Sequence, residues 1–242
     1  MATGSRTFAA DSVGSSPSGI TLLGIGTGTG NVESVTGAQG GKALVLRPQT
    51  GNRWTHAIFD AVAALSATDF ELRARLKAPA GAQSFLDGAG ISARWDYTGS
   101  PTGCPRYAGH AVDGGLAIKE ATTVFGGTDL VTNTAFSLPV DGWWQMRFSV
   151  QGSSLKVWSW LDADPVKVNT DTPDISTTDT TITTGASVSV MWDTNDGSTY
   201  PLIIDYLTWG TGGDAAPGIT TGPPPTLLAP RRRLQVRRRF VS

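Results

Sequence analysis

One cysteine, two histidines and three glutamates in 242 residues leave this chain poor in the side chains that most enzyme chemistry uses. Cys104 has no second cysteine to pair with, so an internal disulfide and a cysteine-based zinc site are both excluded. Its loop, SPTGCPRY, carries no motif for an activated thiolate. His56 and His110 are isolated and read as ordinary strand histidines rather than as a catalytic or zinc set. No run reaches about 18 apolar residues, the length a membrane-spanning helix needs. The opening stretch, MATGSRTFAADSVGSS, has no apolar core of the secretory type, so a protein made in the cytoplasm without a signal is expected. No internal repeat is visible either.

Charge is scarce overall but unevenly placed. The formal net charge is −1, yet Arg231, Arg232, Arg233, Arg237, Arg238 and Arg239 all fall within the last twelve residues, which hold no acid. Setting these six aside leaves thirteen basic against twenty acidic residues, so residues 1–230 carry −7. An acidic body with a basic arm bears on partners more than on fold.

What the chain does have is material for short strands and many turns: 30 glycines, 14 prolines and a 39% hydrophobic content sufficient for a packed core. The clearest element is DGWWQMRFSVQGSSLKVWSWL, residues 141–161. Two alternating runs, 143–151 and 154–161, meet at Gly152-Ser153, a pair that permits the positive φ of a tight hairpin. Trp144, Met146, Phe148 and Val150 share one face of the first run, and Leu155 and Val157 share one face of the second. Trp158 and Trp160 lie on the opposite face of that second run.

Other segments follow the same rule. Residues 69–77 place Phe70, Leu72, Ala74 and Leu76 inward and Glu71, Arg73, Arg75 and Lys77 outward, which reads as a solvated mixed-charge face. Residues 88–97 put Ile91, Ala93, Trp95 and Tyr97 on one face. Further strands are expected at 6–10, 42–47, 54–59, 106–112, 115–119, 186–192 and 202–209. The stretch 162–184, rich in Asp, Thr and Pro, reads as a surface connection with an edge strand near 166–169. GIGTGTG, at 24–30, misses the spacing of a dinucleotide-binding loop and is followed by no helix, so it reads as a glycine-rich turn. The expected architecture is all-β: an antiparallel jelly-roll sandwich at 1–210, a Gly/Pro linker at 211–230 and an arginine-rich arm at 231–242.

The hairpin and the strands after it, GASVSVMWD and LIIDYLTWG, resemble the closing strands of concanavalin A-like lectin and glucanase sandwiches. Trp144, Arg147, Val150, Gly152, Leu155 and Trp158 meet the family's hairpin pattern, and Asp205 stands in the last strand. With the arginine-rich arm, the chain is similar to minor tail proteins of actinobacterial bacteriophages. The resemblance implies a virion structural protein without enzymatic activity, on the tail or as decoration of the capsid surface. It also implies a homo-oligomer that contacts host cell-wall glycans. Glycosidases of the family carry E-x-D-x-x-E, which no glutamate here begins; the nearest approach is Asp69 with Glu71. A glycan hydrolase is accordingly disfavoured.

Aromatic rings stack on sugars, so Trp158, Trp160, Trp95 and Tyr97 are candidate carbohydrate-binding residues, the alternative being core packing. No cofactor is expected. Some relatives bind a structural calcium at the position of Asp205, which makes that residue a candidate metal ligand. Asp193, Asn195 and Asp196 read either as calcium ligands or as a hairpin turn. The arm, with Leu234 and Val236 between its arginines, reads as a peptide docking on another virion protein in preference to a nucleic-acid binder.

Overall fold

The structure, a computed structural model, describes residues 2–24, 29–47, 54–63, 65, 67–79, 86–96, 105–112, 115–123, 126–139, 141–194 and 200–219. Tyr97, Cys104, Asn195, Asp196 and the whole arm, 231–242, lie outside the described residues. The first half of the chain supplies β1 (Thr3–Thr7), β2 (Ile20–Gly24), β3 (Thr29–Ser34), β4 (Lys42–Arg47), β5 (Trp54–Phe59), β6 (Phe70–Lys77) and β7 (Leu86–Trp95). The second half supplies β8 (Arg106–Val112), β9 (Gly115–Thr123), β10 (Gly126–Asn133), β11 (Trp143–Gln151), β12 (Ser154–Leu161), β13 (Ile175–Thr178), β14 (Ser187–Thr194) and β15 (Leu202–Thr211). One turn of α-helix follows β5.

These strands form two antiparallel sheets. The eight-stranded sheet runs β13-β12-β11-β6-β15-β4-β3, with β1 also paired to β15. The seven-stranded sheet runs β10-β9-β8-β7-β14-β5-β2. Runs of consecutive strands, β3–β4, β7–β10 and β11–β13, are joined within each sheet to strands distant in sequence, as β6 to β15 and β7 to β14, and the all-β jelly-roll sandwich expected from the sequence is the fold observed.

Period-two alternation builds the core. Phe70, Leu72, Ala74 and Leu76 of β6 and Trp144, Met146, Phe148 and Val150 of β11 are buried on the inner face of one sheet, with Leu155 and Val157 of β12 beside them. Ala89, Ile91 and Ala93 of β7, Tyr107 and Ala111 of β8, and Val190 and Trp192 of β14 face them from the other sheet. Burying each large apolar side chain is worth about 1.5–3 kcal/mol, so this layer supplies most of the drive to fold. The hairpin turns at Gly152, whose φ of 54° is the positive value the Gly-Ser pair implies.

Three local expectations are corrected. The first strand is Thr3–Thr7 rather than 6–10, because pairing with Tyr206–Gly210 of β15 sets its register. The edge strand after the hairpin is β13, not 166–169: Ile175 has a buried inward position opposite Val157, whereas Val166 and Val168 are exposed. The segment 211–219 is no free linker, for Thr211 ends β15 and Ala216 is buried against the sheet.

Side chains of the eight-stranded sheet pack directly onto Gly109 of β8. A Cβ there would stand 2.6 Å from Val157 Cγ2 and 2.9 Å from Phe148 Cδ2. Gly109→Val is therefore expected to overpack the core and lower the unfolding free energy by about 1–3 kcal/mol, read as a lower urea midpoint.

Candidate functional site

The outer face of the eight-stranded sheet is polar, and strand register sets its pattern. Arg75 of β6 pairs with Gln145 of β11, which pairs with Trp160 of β12, and Tyr206 of β15 lies on the far side of Arg75. One row along, Thr208, Arg73, Arg147 and Trp158 repeat the order, followed by Gly210, Glu71, Ser149 and Lys156. Three guanidinium groups consequently sit side by side on central strands.

Each has a specific partner. Arg75 donates to Asp205 Oδ2 at 2.6 Å, to the Gly37 carbonyl at 2.8 Å and to both Asp162 oxygens at 2.9 and 2.7 Å. Arg147 donates twice to Glu71 Oε1, at 2.9 and 2.6 Å. Arg73 donates to Gln145 Oε1, which also accepts from the Tyr206 hydroxyl at 2.8 Å. The guanidinium groups also lie over rings: Arg75 over Trp143 at 4.2 Å, Arg73 over Trp160 at 5.2 Å and Arg147 over Trp158 at 5.6 Å.

The solvated mixed-charge face expected from the sequence is thus corrected for Glu71, Arg73 and Arg75, which are 3%, 5% and 4% exposed. Alternation reveals which way a side chain points but not what lies over it. Residues 162–174 cross this face: Asp162 pairs with Arg75, the Lys167 carbonyl accepts from Arg147, and the Asp171 carbonyl accepts from Trp158 Nε1 at 2.9 Å. The Ala216 amide reaches Glu71 from the C-terminal side at 2.8 Å.

Trp158 and Trp160 do face away from the core as expected, but neither is an open stacking platform, since each is 2% exposed. Trp95 lies on the opposite sheet, wholly buried beside His56, with ring centroids 4.7 Å apart, and under Arg106. It leaves the face of Ile91 and Ala93 because Arg94 adopts a left-handed φ of 50° and breaks the alternation. Trp95 therefore does not converge with Trp158 and Trp160, and Trp160 lines a pocket.

That pocket, of about 300 Å³, opens at the edge of the sandwich between the end of β12, the crossover 133–137 and the covering segment 161–174. Its walls include Trp160, Phe136, Ser137, Asp164, Lys167 and Asp174. Lys167 is neutralised by both oxygens of Asp174, at 2.6 and 2.8 Å, and Asp174 also accepts from the Ser159 amide. The Trp160 indole N–H is shielded from solvent and finds no acceptor among the described residues. Composition hid this site, because residues 133–137 and 161–174 look like plain connections. The legible signal was the Arg-x-Arg of β6 and Gln-x-Arg of β11 aligned with Trp-x-Trp, a polar face too regular for random surface.

Asp205 is corrected as a metal ligand. Its carboxylate is wholly buried and accepts from Arg75 on Oδ2 and from the Gln39 amide on Oδ1 at 2.7 Å, so a guanidinium occupies the place of a cation. Burial pushes its carboxyl above the usual value against the pull of Arg75. Burial opposes ionisation of Asp162 too, but the Arg75 and Gln145 hydrogen bonds outweigh it and hold that carboxyl low. No group of three or more His, Cys, Asp or Glu side chains that could hold a metal ion occurs among the described residues. Asp69 and Glu71, the nearest approach to a glycosidase pair, are bound to Arg94 and Arg147 respectively.

No protein-family model and no curated protein matches the chain. Among solved structures it is similar to the conserved carbohydrate esterase of the Shiga toxin-encoding bacteriophage phi24B. That match has 21% identity and a TM-score of 0.51, over 86% of this chain and 99% of that one. Carbohydrate-binding module CBM66 from Bacillus subtilis matches at 13% identity and 0.51, over 77% and 91%. Lectin II from Ulex europaeus matches at 12% identity and 0.52, over 85% and 97%. These likenesses establish the fold, a concanavalin A-like jelly-roll sandwich.

Arg75→Met strands a buried Asp205 and is expected to cost about 3–5 kcal/mol in urea unfolding, with Arg75→Met/Asp205→Leu recovering part of the loss. Burial, with help from Arg106, holds His56 well below 6.5, and burial with Lys119 and Arg106 pushes His110 down to about 3. Both remain neutral in the folded state while the unfolded chain takes up protons. Stability is thus full above pH 6.5 and falls as pH drops below it, by about 1.4 kcal/mol per unit for each histidine once the unfolded imidazole is charged. Urea unfolding between pH 6.5 and 5 should show this slope, and His110→Leu should remove about half of it.

Proposed function

We propose that this chain is a non-enzymatic structural protein of a bacteriophage particle, a minor tail protein whose lectin-like sandwich contacts host cell-surface glycans. The observation that carries the glycan reading is the concave site at the sheet edge lined by Trp160, Phe136, Asp164 and Lys167, on a sandwich whose structural neighbours include a carbohydrate-binding module and lectins. The virion reading is supported by charge: a body of −7 joined to Arg231–Arg233 and Arg237–Arg239, with Leu234 and Val236 between them, is suited to clamping an acidic neighbour at high local concentration. The phage origin of the phi24B esterase agrees with it.

That esterase also favours a second reading, an enzyme acting on glycans. Against hydrolysis by paired carboxylates stands the engagement of Asp69 and Glu71 by arginines. Decoration of the capsid surface is the corresponding alternative for the particle role.

Two measurements test the proposal. The full chain is expected to sediment with host cell walls and to release no sugar or acyl group from them. Deleting 231–242 is expected to leave the unfolding transition unchanged and to abolish incorporation into particles. Normal incorporation of the truncated chain would overturn the docking role.

A further inference from the structure

We infer that the covering segment, 161–174, is the docking site for the C-terminal arm, 231–242, of a second copy of this chain; this rests on the docking role proposed for the arm above and names its receiver. Val166 and Val168 are 50% and 46% exposed, and Leu161 near them in sequence is exposed too. Lys167, between the valines, turns its side chain to Asp174, so the two apolar side chains share the outward face. Single apolar side chains on a surface are ordinary, but a pair turned outward together on a segment fastened to the sheet is a candidate contact. A turn closes each end of this strip. Asp164 Oδ2 accepts the Leu161 amide at 3.2 Å, and Asp171 Oδ2 accepts the Val168 amide at 2.6 Å. Both aspartates are exposed and neither is ion-paired among the described residues, so each can receive a guanidinium from outside.

The arm carries the complementary pattern. Alternate side chains of an extended peptide share a face, which sets Arg232, Leu234, Val236 and Arg238 in one row: charge, two apolar groups, charge. The covering segment presents Asp164, Val166, Val168 and Asp171 in the same order with the opposite charge. Residues 161–174 hold four aspartates against one lysine, and the arm holds six arginines and no acid. The point of exit selects whose arm it is. The Ala216 amide donates to Glu71 Oε1, the oxygen that Arg147 also binds, and Arg147 reaches on to the Lys167 carbonyl. The chain thus leaves the body one side chain away from its own covering segment. The stretch 220–230 holds four prolines, a semi-rigid composition that at about 3.1 Å per residue spans roughly 34 Å, which overshoots a site beside the exit and suits a neighbouring copy. Because every copy carries both halves, the contact repeats from copy to copy until symmetry closes it.

The test is sedimentation velocity of the full chain over a wide concentration range. Self-association is expected as concentration rises, weakened by added salt because the paired charges are exposed. Two variants should sediment as monomers with unchanged unfolding transitions: the chain lacking 231–242, which keeps the receiving surface, and Val166→Lys/Val168→Lys, which keeps the arm and repels its arginines. Mixed together, these two should form a one-to-one complex. Asp164→Asn/Asp171→Asn keeps the shape of the strip and should weaken association about tenfold while flattening its salt dependence; it replaces the lysine pair should that pair alter the unfolding transition. A full chain that stays monomeric at every concentration would overturn the inference, and the particle role would stand if deleting the arm still abolished incorporation. Self-association that survives the strip variants would place the receiving surface elsewhere and overturn the assignment. A monomer whose arm arginines resist trypsin until the strip is altered would assign the arm to its own covering segment and overturn the second-copy reading. Self-association lost with the arm, together with normal incorporation of the truncated chain, would sustain the inference and remove the particle role instead.

Discussion

The ion pair of Arg75 with Asp205 sits where the molecule's parts meet. Arg75 belongs to β6, the strand hydrogen-bonded to both β11 and β15, and Asp205 stands at an irregularity in the β6–β15 register. One guanidinium there joins the last strand, the turn at Gly37 and the start of the covering segment at Asp162. Removing such charges from water is expensive, and only a fully answered set of hydrogen bonds offsets the cost. On this face three arginines, 73, 75 and 147, are matched by three carboxylates, 71, 162 and 205. The resulting neutrality lets a polar layer be buried outside the apolar core, and the segment that closes over it also walls the Trp160 pocket.

The two faces of the sheet were not equally legible. The inner face was readable because burial on one side imposes period two, and Phe70, Leu72, Ala74 and Leu76 or Trp144, Met146, Phe148 and Val150 leave little choice. The outer face obeys the same alternation, but its partners come from residues 162–174 and 212–216, whose contacts are made largely by backbone carbonyls, amides and aspartates. Composition carries no record of such contacts. Asp205 illustrates the limit: its place in the last strand was evident, yet its role depends on Arg75, 130 positions earlier. Trp95 shows a different limit, since one left-handed residue, Arg94, moves the next side chain to the other face.

The sheets also differ in how they handle polar groups. The eight-stranded sheet answers charge with charge. The seven-stranded sheet keeps His56 and His110 neutral, with His56 Nδ1 3.1 Å from the Ser189 hydroxyl. Gly88 and Gly90 leave the space that His110 fills, as a Cβ at Gly88 would stand 2.4 Å from its Nδ1. Acid therefore acts first on one sheet, while loss of Arg75 acts on the other.

The left-handed Arg94 has a further effect. Its guanidinium gathers the Thr68 and Ile182 carbonyls and Asp69, and Asp69 in turn accepts the amide of Gly152 at the tip of the β11–β12 hairpin. That hairpin tip is moored rather than free. Lengthening the turn would pull its amide from Asp69, so this end of the sandwich is closed to insertion even though its turn is two residues long and exposed. Diversification of the scaffold for new ligands is then directed to the opposite part of the sheet, where the 161–174 segment walls the pocket.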